Sequence, residues 1–149
     1  MKVYFVDREF LEQLLQHIEK NINILKGNSN WDGPLDKLAL ERVVHILIDS
    51  ILDVGNTLID GFIMRDPGSY EDIIDILLDE KVVKAEDEVP LKAVVAFRKI
   101  LIQNYLDIDH DQILQSLKEN IVKIEQFPNQ VRSYLENELG PINAFNVIQ

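Results

Sequence analysis

Apolar residues return every three or four positions along most of this chain, and nowhere do they alternate with polar ones for long enough to predict a strand. Leu11, Leu14, Leu15, Ile18, Ile22 and Leu25 mark one face of a first helix that Asp7 caps and Lys26-Gly27 stops. Residues 27–33 read as a loop, with Trp31 as an anchor onto the bundle rather than a platform for a base. His17 lies off the stripe, at the surface. Asp32-Gly-Pro34 opens a second helix predicted to run to about Met64, since proline is tolerated in a first turn. Apolar residues from Leu38 and Leu40 through Leu47, Ile48 and Ile51 to Leu58 and Ile59 cover most of its circumference, which makes it the central helix. Gly55 and Gly61 inside it imply a close helix approach or a bend.

Asp66-Pro-Gly-Ser-Tyr70 is a turn in which Ser69, with Asp72 as a box-like partner, caps a third helix ending near Lys81. Pro90 starts the next helix, which carries Leu91-Lys-Ala-Val-Val-Ala-Phe97 and continues toward Tyr105. Asp109 and Gln112 cap a fifth helix, Pro128 interrupts it, and a short sixth runs to Leu139 before Gly140-Pro141. The expected fold is all-α, an up-and-down helical bundle of about five main helices. It forms a single domain over 1–149, with its core at about 7–139 and an irregular tail at 140–149.

Composition narrows the chemistry. At 149 residues, 46% of them hydrophobic and 28% charged, the chain can bury a core and reads as an ordinary globular protein. It has no cysteine, which excludes disulfides, thiol catalysis and Cys-ligated zinc. The N-terminus turns acidic too soon for a secretory signal, and no apolar run approaches the ~18 residues of a membrane span, so a cytoplasmic protein without membrane contact is expected. The formal net charge of −11 argues against wrapping nucleic acid nonspecifically. Any RNA contact must be local, and Lys81, Lys84, Lys92, Arg98 and Lys99 lie close in sequence. A di-metal bundle would need Glu-x-x-His pairs, whereas Glu41 and His45 are four apart and His110 stands alone at a helix entrance. No phosphate-cradling glycine loop or Gly-x-Ser-x-Gly elbow is present, so neither metal nor cofactor is expected.

Two polar features stand against this apolar background. Arg98, Lys99, Gln103, Asn104 and Tyr105 interrupt the apolar run Ala96 to Tyr105, and an arginine fork in such a setting calls for a carboxylate or a phosphate. On one continuous helix Gln103 would sit about 140° around from Arg98, so a single helix could not close both into one site. On the second helix Arg42, His45, Asp49, Asp53 and Asn56 recur at steps of three and four. That stripe is either a solvated face with His45 and Asp49 as an ordinary pair, or the wall of a cleft opposite Arg98.

The segment Phe97-Arg98-Lys99-Ile-Leu-Ile-Gln103-Asn104-Tyr105 resembles the signature of the HepT-like ribonucleases, HEPN-superfamily toxins encoded beside minimal nucleotidyltransferases. The family motif is Arg, usually Asn, a spacer, His, a spacer and Tyr. Arg98 and Tyr105 match in place, Lys99 stands where Asn is usual, and Gln103 stands where the catalytic His is expected. The resemblance covers roughly Asp7 to Phe127, and its departures look like those of the YutE-like branch of the family. It implies a symmetric homodimer whose paired motifs face one another, cutting RNA without metal while Arg98 steadies the phosphorane. It makes Lys99 and Asn104 the RNA-contacting positions, and Tyr105 the position to which a nucleotidyltransferase antitoxin attaches adenylate. Gln103 departs from that chemistry, because a carboxamide does not exchange protons near neutrality. The implied protein is a weakened or inactive ribonuclease, or alternatively a non-catalytic dimeric helical module that binds a protein or a nucleotide. Of the three histidines only His45, on the polar stripe, is placed to compensate.

Overall fold

The computed structural model describes residues 6–140, so the predicted tail beyond Gly140 lies outside the described residues. Within them the chain is an all-α up-and-down bundle with helices α1 (Arg8–Gly27), α2 (Pro34–Gly61), α3 (Tyr70–Asp79), α4 (Glu88–Val95), α5 (Phe97–Ile102), α6 (His110–Ile124) and α7 (Phe127–Leu139). Five of these are ten residues or longer, and α4 and α5 are the two halves of the expected fourth helix, parted at Ala96.

Local chemistry sets most boundaries. Asp7, Ser69 and Asp109 each accept a hydrogen bond from the backbone N–H three residues on, at 2.9, 3.0 and 3.1 Å, so three helices begin where a short polar side chain can satisfy an orphan donor. Asp72 serves α3 differently from a capping-box residue. It accepts from the Gly68 N–H at 2.8 Å and takes both terminal nitrogens of Arg65, at 2.7 and 2.8 Å. The Arg65 guanidinium, helped by that N–H, holds the Asp72 carboxyl at about 2. Helix α2 stops three residues before Met64, since Ile63 turns left-handed at φ 56° and the Met64 N–H reaches back to the Ile59 carbonyl. Pro128 falls in the first turn of α7, where its missing N–H is harmless.

Helix α2 is the axis of the bundle, about 42 Å long at 1.5 Å per residue. Leu40, Val44, Leu47, Ile48, Ile51, Val54 and Leu58 are fully buried along it. The α1 stripe of Leu11, Leu15, Ile18 and Ile22 packs on one side, with α3 and α5 on others. Gly55 permits the α3 approach: a Cβ there would run into Ile73, a stiff β-branched side chain. Trp31 is buried and donates from Nε1 to the Asn28 carbonyl at 3.0 Å, anchoring the loop. Arg132 ties α7 to α1 through four hydrogen bonds of 2.8–3.0 Å to Glu12 and Glu19.

Candidate functional site

The site is assembled on Asp49. From the middle of α2 its Oδ1 accepts from Arg98 Nε at 2.9 Å, while its Oδ2 lies 3.0 Å from His45 Nε2 one turn earlier. The polar stripe of α2 therefore meets the motif helix through one carboxylate. The Arg98 guanidinium also lies over the Tyr70 ring, 4.4 Å from its centroid, at the first turn of α3. Three elements thus fix one side chain: α5 carries it, α2 binds its inner nitrogen and α3 supports its face. Among the described residues the two terminal nitrogens of Arg98 have no hydrogen-bond partner. A cation half-buried in this way, with a bidentate edge left over, is shaped for a planar or tetrahedral anion.

That edge borders a cleft of about 540 Å³ walled by Ser69, Tyr70, Glu71, Arg98, Lys99 and Gln103, with Val95 and Ala96 as its apolar part. Arg98 and Gln103 share this cleft within one chain, contrary to the expectation from a continuous helix. The wheel still holds as far as Gln103, whose N–H makes the helical return to the Lys99 carbonyl: Val95, Lys99 and Gln103 stand four apart on one face, the cleft is wide enough to reach from that face to Arg98, and the helix gives way to a turn at this point. Gln103, Asn104 and Tyr105 are exposed in this turn, Tyr105 at 64%.

The other sequence candidates divide. Asp53 lies at the surface, yet partial desolvation and the Asp49 charge one turn away both push its carboxyl up, against the pull of Arg98. Arg42 is exposed and is not drawn into the Asp49 cluster. The lysines near in sequence do not form one basic patch. Lys92 is taken up by Asp75 at 2.7 Å and Glu88 at 2.9 Å. Lys81 and Lys84 line a different cleft of about 690 Å³, walled by α6 and α7, which shares no lining residue with the motif cleft. The larger cleft lacks every motif residue, so the smaller one is the candidate site. Among the described residues no group of acidic, histidine or cysteine side chains could hold a metal ion, and no helix is long and apolar enough to cross a membrane.

One contact was missed from sequence. His110 Nε2 lies 2.7 Å from Glu41 Oε2, so the start of α6 is fastened to α2 two turns before Asp49. No spacing signal could have revealed a pair 69 residues apart.

The bundle has a HEPN-type fold. It matches the solved structure of a tri-AMPylated Shewanella oneidensis HEPN toxin in complex with MNT antitoxin, at a TM-score of 0.69 and 15% identity over 83% of this chain and 94% of that one. The chain belongs to the HepT-like ribonuclease family, whose description, "Ribonuclease HepT-like", matches residues 11–131. It is 47% identical over 143 residues to the Bacillus subtilis (strain 168) protein named "Putative RNase YutE", spanning 96% of this chain and 99% of that protein. A solved structure of YutE from Bacillus subtilis, described as a cytosolic protein of unknown function, superposes with a TM-score of 0.92 at 47% identity, covering 96% of this chain and all of that one.

Proposed function

We propose that this protein binds RNA through the Arg98 cleft as a cytoplasmic homodimer, and that it is a metal-independent HepT-like ribonuclease weakened at the motif position that Gln103 occupies. The observation that carries this reading is the clamp on Arg98. Asp49 holds Nε at 2.9 Å and Tyr70 supports the guanidinium face, which leaves the two-nitrogen edge for a phosphate. Lys99 and Gln103 share the same cleft, and Asn104 follows Gln103 in the exposed turn, so all three stand near a strand laid along it. Gln103 can orient a group but cannot move a proton, and general acid–base catalysis is worth roughly 10²–10⁴-fold. That same residue supports the alternative of a binding module without catalysis.

A partner protein is part of the reading. The Shewanella toxin is described as AMPylated and bound to MNT antitoxin. In this chain Tyr105 is the matching tyrosine of the motif, and at 64% exposure its hydroxyl is open to a nucleotidyltransferase. Adenylate there would place a phosphate and a base beside the motif cleft and block it.

The test compares wild type and Arg98→Ala on labelled single-stranded RNA with EDTA present at low salt. Wild type is expected to bind, and loss of a charge-assisted pair should weaken binding by roughly tenfold or more. Absence of RNA binding by wild type would overturn the reading. Binding without cleavage by wild type, with cleavage gained in Gln103→His, would select the binding-only alternative.

A further inference from the structure

Two contacts pin the motif segment to α2. Arg98 is bound to Asp49, and His110 is bound to Glu41, at 2.9 and 2.7 Å. Glu41 and Asp49 are about 12 Å apart along the helix at 1.5 Å per residue, and His45 lies midway between them. The turn that carries Gln103, Asn104 and Tyr105 therefore leaves α2 on one side of His45 and rejoins it on the other. His45 Nε2 is committed to Asp49 Oδ2 at 3.0 Å, whereas Nδ1 has no partner among the described residues. The His45 side chain is 27% exposed, enough for a ligand to reach it.

One oxygen of Asp49 lies 3.0 Å from His45 Nε2 and the other accepts from the arginine that would hold the phosphate, so a single carboxylate positions both groups. A base and a phosphate-binding cation set on one carboxylate supply two of the groups that a 2′-hydroxyl attack on a phosphodiester uses. The charged groups gathered around His45, Arg98 and this turn are Glu41, Arg42, Asp49 and Asp53 from α2, Glu71 from α3, Arg98 and Lys99 from α5, Asp107 and Asp109 in the turn, and His110 from the start of α6. Helix α1 packs on α2 through Leu11, Leu15, Ile18 and Ile22.

We propose that His45, positioned by Asp49, is the catalytic residue that moves the proton which Gln103 cannot. This rests on the RNA reading above. His45 Nδ1 takes the proton of the RNA 2′-hydroxyl, and the 2′ oxygen bonds to phosphorus while Arg98 holds the phosphoryl oxygens. The bond from phosphorus to the 5′ oxygen breaks, and that oxygen leaves as a hydroxyl after taking a proton from water. The products are a 2′,3′-cyclic phosphate end and a 5′-hydroxyl end, and His45 returns its proton to solvent.

The experiment measures RNA affinity, cleavage rate against pH from 5 to 8.5 with EDTA, and end-group chemistry for wild type, His45→Gln and His45→Gln combined with Gln103→His. Wild type should cleave with a rate that falls toward acid pH and leave cyclic phosphate ends. His45→Gln should bind RNA within about twofold of wild type, cleave roughly 10²-fold more slowly or worse, and lose the acid-side fall. The double variant should regain cleavage, since the motif histidine is then restored in an intact cleft. Wild-type cleavage and an unchanged pH profile in His45→Gln would overturn the inference, as would RNA binding by wild type with no cleavage at all. In both of those cases phosphate binding at Arg98 survives. Failure of wild type to bind RNA removes that underlying reading instead. Loss of RNA affinity in His45→Gln without rescue by the second substitution would assign His45 a purely structural role and also count against it.

Discussion

The single residue on which most of the chemistry depends is Asp49, because it is shared between a titratable ring and a permanent cation. A second carboxylate one turn on works against the site. Asp53 carries a carboxyl raised by partial desolvation and by Asp49, which means that its ionised form is disfavoured in the folded protein. With the folded value above the unfolded one, its favourable contribution is complete below the ordinary aspartate range near 3.9 and is lost as pH rises through the raised value. Asp53→Asn should therefore raise the melting temperature slightly at pH 7 and make no difference at about pH 3. It should also tighten RNA binding roughly two- to threefold at low salt, the size expected for removing one screened like charge beside Arg98. An unchanged affinity across a salt series would mean that the strand does not pass Asp53.

At the scale of elements, packing on α2 is conventional, and the instructive cases are helix ends and helix ties. The starts of α1, α3 and α6 were legible because Asp7, Ser69 and Asp109 act on backbone only three residues away. The end of α5 was not. Ile100-Leu-Ile-Gln-Asn-Tyr105 contains neither glycine nor proline, so nothing local marks the end of α5, and the segment beyond it is fastened back onto α2 through a distant pair, His110 and Glu41. For the same reason the separate polar residues of α2 and of the motif could be named from periodicity, while their meeting at Asp49, 49 residues from Arg98, could not. Helix α7 offers a clear test of a tie. Glu12 and Glu19 are both held below the usual carboxylate range, chiefly by their hydrogen bonds to Arg132. Depressed folded values contribute stability above the unfolded glutamate range near 4.3, and that stability is lost as pH falls through the lower folded values. Arg132→Gln should lower stability by roughly 1 kcal/mol at pH 7, a figure reduced for the solvent exposure of all three side chains. That corresponds to a melting shift of about 3 °C in a chain of this size, and the gap should close as pH drops below about 4. A gap that persists at acid pH would assign the loss to packing of the arginine stem instead.

For the whole molecule, the question is what covers the open end of the α2 stripe. Leu35 and Leu38 begin the row that continues through Arg42, His45 and Asp49 at steps of three and four, and they are 80% and 61% exposed. Leu106, in the turn just past the motif, is 92% exposed. Isolated exposed leucines are ordinary, but two at the start of the α2 stripe and one in the turn past the motif, on a chain of net charge −11 that would otherwise stay apart from its copies, fit a self-complementary face. A symmetric dimer built there would set two Arg98 clefts against each other and concentrate cationic edges that a single acidic protomer lacks, which is how so acidic a chain could hold a strand of RNA. A stable dimer needs about 800 Å² from each partner, so two charges placed at its centre should suffice to break it. Leu38→Glu with Leu106→Glu is expected to convert dimer to monomer in size-exclusion chromatography with light scattering. The melting temperature of the isolated fold should change little, since neither side chain is buried. RNA binding should fall together with dimerisation. A wild-type protein that stays monomeric at tens of micromolar would show that one cleft must act alone.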